Sequence, residues 1–130
     1  MKEVYDFLIQ CGVFFLATEE NGQPRVRPFG AIVLFNNRLY TITSRKKAVS
    51  RQLAANPKVE LCALDGENWL RIEAVAIEDN NTEAIRSMLD HYPNLKSLYS
   101  ETDSNTQLFY FSNGIATFSS FVKPPRTITF

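Results

Sequence analysis

Residues 13–43 read VFFLATEENGQPRVRPFGAIVLFNNRLYTIT, and this stretch decides the fold. Val13 to Thr18 is rich in aromatic and branched residues, the composition of a pleated, half-buried strand. It runs into Glu20-Asn21-Gly22-Gln23, where Asn-Gly is the strongest short signal for a two-residue hairpin because both residues accept positive φ. Arg25 to Phe35 reads as the returning strand. Asn36-Asn37 then turns the chain into a third strand, Arg38 to Thr43. The expectation is a three-stranded antiparallel meander.

Working outward, Val4, Phe7 and Leu8 share a face of a short helix over Glu3 to Gln10, closed by Gly12. Downstream, Ser44 is the predicted N-cap of a helix that buries Val49, Leu53 and Ala54 and stops at Asn56-Pro57. Strands are expected over Val59 to Leu64 and Trp69 to Glu78, the latter alternating Leu70, Ile72, Ala74 and Ala76 against the opposite face. Thr82 to His91 carries Ala84, Ile85, Met88 and Leu89 at helical spacing. Residues 92–105 are polar and irregular, with one helical turn expected at Asn94 to Tyr99. Leu108 to Phe121 reads as a long strand bent at Asn113-Gly114, and Arg126 to Phe130 as a short last one. Six or seven hairpin-connected strands with a few short helices predict a mainly β (α+β) domain, a closed or nearly closed antiparallel barrel. With 130 residues, a single domain over 1–130 is expected. Ten Phe and five Tyr are many for this length, so some are expected to cover a subunit contact.

Composition narrows the chemistry. Hydrophobic residues make up 45% and charged residues 22%, as in ordinary globular proteins, and no apolar run suits a membrane helix. The N-terminus mixes charge and apolar residues too early for a signal peptide, so a cytoplasmic location is expected. Cys11 and Cys62 lack metal or redox spacing and are expected as two buried thiols. His91 is the single histidine, so no metal site and no Ser-His or Cys-His nucleophile is expected. P-loop, dinucleotide-binding and hydrolase signatures are also missing, which assigns any hard chemistry to a bound cofactor.

Charge is neutral overall but unevenly spread. Asn21 to Val59 holds eight basic residues and no acid, whereas Glu60 to Asn105 holds ten acids and three bases. Two segments of the basic half stand out. Alternation puts Arg25, Arg27 and Phe29 on one strand face, and Pro28 interrupts the ladder beside them. The run Thr41-Ile42-Thr43-Ser44-Arg45-Lys46-Lys47 joins a strand end, hydroxyls and cations to a helix start, a combination suited to phosphate. Because a tight turn is expected to make the two strands neighbours, both segments can reach one ligand with a phosphate at one end and a flat polar group at the other. The neutral total and the acidic second half argue against a nucleic-acid partner.

These pieces, in this order, resemble the FMN-binding split-barrel family around pyridoxamine 5′-phosphate oxidase. The carriers are residues 12–18 (GVFFLAT), 22–28 (GQPRVRP) and 39–43 (LYTIT), then Lys46-Lys47 leading into residues 52–61 (QLAANPKVEL). The resemblance implies a six-stranded split barrel that forms a homodimer with FMN at the subunit interface. It places Arg25, Arg27, Pro28 and Phe29 along the flavin and Thr41, Ile42 and Thr43 at the ring edge. Lys46, Lys47 and Gln52 fall near the phosphate, and Trp69 and Arg71 come from the partner. It implies an FMN-dependent oxidoreductase that exchanges hydride with a small molecule or nicotinamide nucleotide. The oxidase reads its vitamin substrate with C-terminal basic residues, and only Lys123 and Arg126 stand there, so that particular activity is not expected. A non-catalytic flavin-binding or sensing module, or a barrel using haem or a deazaflavin, is the alternative.

Overall fold

Asn21 and Gly22 take the positive φ values, 51° and 83°, that their chemistry allows, and they close β1 (Phe14–Glu20) onto β2 (Gln23–Phe29) with Glu20 opposite Gln23. The computed structural model describes residues 1–130. It continues through β3 (Val33–Phe35), β4 (Arg38–Ser44), β5 (Lys58–Asp65), β6 (Asn68–Glu78), β7 (Thr106–Ser120) and β8 (Arg126–Thr129). Three helices, α1 (Lys2–Cys11), α2 (Ala48–Ala55) and α3 (Thr82–His91), and a 3-10 turn at Pro93–Ser97 complete the chain. The antiparallel sheet runs β2-β1-β5-β6-β7-β4-β3, with β8 added to β7. It is a split-barrel α+β fold that stays open, with eight strands where six or seven were expected.

The meander is the main correction. The strand expected over Arg25 to Phe35 breaks at residues 30–32, and its two halves part. β2 pairs only with β1, whereas β3 pairs with β4 at the opposite end of the sheet. Gly30 lowers the cost of leaving the ladder, and Pro28 withholds an N–H from one edge. The branched and aromatic residues on both sides concealed this break. Backbone groups in the crossing are satisfied by side chains: Thr41 donates its hydroxyl to the Ala31 carbonyl at 2.8 Å, and Tyr92 Oη accepts from Ile32 N–H and donates to the Ile32 carbonyl.

α2 also starts later than expected. Ser44 does not cap it: its hydroxyl accepts from the Lys46 N–H, a local turn that holds Lys46 and Lys47 ahead of the helix. α3 keeps the predicted bounds, and Asn81 caps it by accepting from the Glu83 and Ala84 N–H groups. Such a cap contributes about 1 kcal/mol.

Inward residues of β1, β4, β5, β6 and β7 meet α1 and α2 in a cluster of 18 buried residues. A second cluster of 10 packs α3 and Tyr99 on the other side of β3 and β4, through Val33, Tyr40 and Ile42. The alternation expected in β6 holds, with Leu70, Ile72, Ala74 and Ala76 all buried. Cys62 alternates with the buried Leu61 and Ala63, so it is half-buried rather than enclosed, as is Cys11, and both thiols are free. Burial, and then the nearby Asp65, push the Cys11 thiol up. No helix is long and apolar enough to cross a membrane.

At the bend in β7, Gly114 exchanges both backbone hydrogen bonds with Phe130, whose ring lies where a Cβ would be, 2.1 Å from its Cζ. Gly114→Ala should therefore expel the ring and cost about 1–3 kcal/mol. Phe130→Ala should cost a similar amount, and the double variant little more than either, as thermal melts of the three proteins would check; additive losses would contradict the contact.

Candidate functional site

The crossing segment at residues 30–32 brings the end of β2, the face of β4 and the approach to α2 around one cleft of about 350 Å³. Eight of its thirteen lining residues are hydrophobic, which suits the flat part of a ligand better than a wholly polar one. Arg27, Pro28, Phe29, Ile42 and Lys47, all expected at the site, line it together. They meet through the chain's crossing, not through the adjacent strands expected from sequence.

Half of the cations in the basic stretch are paired in space with acids from outside it. Arg25 and Arg51 pair with Glu20, Arg38 with Asp79, and Arg45 with Glu78. Four of the eight cations, Arg27, Lys46, Lys47 and Lys58, have no carboxylate within 4.0 Å. Lys58 faces a separate groove and Lys46 is exposed outside the cleft, so Arg27 and Lys47 are the uncompensated charges on its wall. Burial, and then the neighbouring Arg25, lower the Arg27 pKa, with Glu20 opposing. A guanidinium still remains charged at any ordinary pH.

The other expected residues lie elsewhere. Thr41 is buried and spent on Ala31, and Thr43 is buried with its hydroxyl unpaired, opposite Gln107, whose Oε1 is also unpaired. Gln52 is buried behind the cleft, where its Oε1 accepts from Arg27 and from Thr18. Trp69, packed on Phe121 at 5.2 Å, and the exposed Arg71 stand on β6 away from this cleft. His91 is exposed at the end of α3.

Sequence reading missed the opposite wall, formed by Tyr92, Asn94, Leu95, Leu98 and Tyr99. Its signal was present: Leu95, Leu98 and Tyr99 recur at i, i+3 and i+4 within a segment read as irregular.

A family model described as pyridoxamine 5′-phosphate oxidase matches residues 1–114. The chain belongs to that family. Among solved structures, it is similar to a NimC/NimA family protein from Clostridium acetobutylicum at 37% identity, covering 100% of this chain and 92% of that one, with a TM-score of 0.94. General Stress Protein 26 from Bacillus anthracis shares the fold at 16% identity, with 98% of this chain and 97% of that one covered and a TM-score of 0.76. A heme binding protein from Mycobacterium smegmatis shares it at 17% identity, with 95% and 55% covered and a TM-score of 0.75. A comparison with curated proteins gives no match. At 17% identity the heme binding protein shares the fold alone, so the ligand of this chain is read from its own cleft.

Beside the cleft approach, Glu78 illustrates how the spare charge has been removed. Hydrogen bonding from Arg45, helped by Gln107 and Asn80, holds its carboxyl down from 4.5 to about 2 against the effect of burial. A lowered folded-state value stabilises above the unfolded value and loses that stabilisation as pH falls through the folded one. The melting-temperature gap between the wild type and Glu78→Gln should therefore be widest above pH 4.5 and close toward about pH 2. A gap independent of pH would remove the ion pair as its cause.

Proposed function

We propose that the cleft binds FMN and that the protein is a cytoplasmic FMN-dependent oxidoreductase working as a homodimer. The observation that carries this reading is the pair of uncompensated cations, Arg27 and Lys47, on an otherwise largely apolar cleft. A terminal phosphate matches the cations, and a flat ring matches the walls offered by Phe29, Ile42 and Leu95. When bound, FMN supplies hydride and electron transfer with a small-molecule partner or a nicotinamide nucleotide. The chain's own residues bind and orient. Lys47 and Arg27 hold the anionic end, and the apolar walls keep water from the ring. No carboxylate or histidine lines the cleft, so protons come from solvent or substrate. Haem finds less support there, because no His, Cys or Met lines the cleft, and of its two tyrosines, Tyr92 and Tyr99, the first spends its hydroxyl on Ile32.

Purified protein should be yellow, or become so with added FMN, and should oxidise NADH or NADPH when offered an acceptor. Yellow protein inert toward such donors would favour a binding or sensing module instead. Lys47→Ala should weaken FMN about 10- to 100-fold, the loss of one charge-assisted bond. Lys46→Ala, outside the cleft, should do much less. Flavin fluorescence titration measures both, and equal affinities for Lys47→Ala and wild type would remove Lys47 from the phosphate.

The dimer is supported by the outer sheet face. Phe15, Val26, Leu64 and Ile115 are exposed there at 49%, 67%, 64% and 42%. On the same face Arg71 has no acid partner, and Glu60 stands directly opposite Glu73, neither in an ion pair within 4.0 Å. A two-fold contact would bring Arg71 of one copy to the acids of the other and cover the apolar residues. Light scattering should give twice the 14.8 kDa chain mass for the wild type and a smaller mass for Arg71→Glu. A monomeric wild type would end the dimer proposal.

A further inference from the structure

Arg27 is gripped more firmly than a surface cation needs, and by unusual partners. Its Nη1 donates to the Leu16 carbonyl at 3.1 Å and to Thr18 Oγ1 at 2.7 Å, while Nη2 donates to Gln52 Oε1. Thr18, with its oxygen taken by Arg27, turns its own proton to Gln52 Oε1. Gln52 Nε2 points away to Glu20 Oε2 at 3.4 Å. The orientation of the amide is settled by this pattern: reversed, it would aim N–H groups at a guanidinium and an oxygen at a carboxylate. Thr18 and Gln52 are 5% and 3% exposed and do not line the cleft.

Every acceptor on Arg27 is therefore uncharged. The nearby acid, Glu20, is taken by Arg25 at 3.5 Å and Arg51 at 2.9 Å, and the Gln52 amide stands between it and Arg27. A carboxylate at either position would fix the guanidinium equally well and cancel its charge. Neutral oxygens fix it and leave the charge whole.

We infer that Thr18 and Gln52 are positioning residues that hold Arg27 at the cleft wall without neutralising it, and so set the preference for a phosphorylated over an unphosphorylated form of the same planar ligand. This rests on the FMN reading above and adds residues that touch no ligand. The discrimination belongs to the pair of buried partners as much as to Arg27 itself.

The test compares FMN, riboflavin and inorganic phosphate as probes. Gln52→Glu places a counter-ion on Arg27, and FMN affinity should fall about tenfold or more while riboflavin affinity holds, so that the preference collapses. Thr18→Val should lower the preference in the same way, and Thr18→Ser, which keeps the hydroxyl, should restore it. Circular dichroism identifies variants that fold, and the Thr18 pair serves if Gln52→Glu does not. Wild-type preference in folded Gln52→Glu or in Thr18→Val overturns the inference. Inorganic phosphate separates the two readings through the Arg27 Nε–H signal in NMR. If phosphate shifts that signal in the wild type but not in Thr18→Val, and no flavin binds, the FMN reading fails and the positioning stands. If phosphate and FMN both leave the wild type unchanged, both fail.

Discussion

The segment at residues 30–32 is the constraint on which the site depends. Leaving the ladder after Phe29 strips its backbone of sheet partners, and an unpaired buried amide costs about as much as a lost hydrogen bond. Two hydroxyls answer that demand, Thr41 from β4 and Tyr92 from beyond α3. The same bonds hold together the elements that enclose the cleft. Tyr92 anchors the wall that follows it, and Thr41 fixes β4 to the crossing, so the cleft exists where the barrel splits.

Electrostatics then decides what that space can hold. Summed over the chain, charge is zero, and four of the eight cations of the basic stretch have found acids from outside it. Of the four cations left without an acid, only Arg27 and Lys47 line the cleft, and charge beside apolar walls is screened less than charge in open solvent. The family relationship alone would not single out these two.

Much of this was legible in the sequence because local chemistry and tertiary structure agree. Asn-Gly fixes its hairpin, the apolar spacing of Thr82 to His91 gives α3 with the right buried face, and alternation in β6 survives to the residue. The break at Gly30 was not legible, since the residues on either side both favour strands and only long-range pairing reveals that they join opposite ends of the sheet. Thr41 and Gln52 were legible as important and not as structural, because a polar residue bound to the protein and one bound to a ligand look alike in a sequence. Neutralisation of the basic stretch was equally hidden, because Glu78 and Asp79 are more than thirty residues from the arginines they meet.

The division of the interior into two clusters has a consequence for the cleft. One wall of the cleft belongs with the smaller group of 10 buried residues, which joins α3 to β3 and one face of β4, whereas β1, β5, β6 and both other helices share the larger group of 18. The cleft thus lies where the two groups of buried residues meet, and its far wall, Tyr92 to Tyr99, rests on the smaller one.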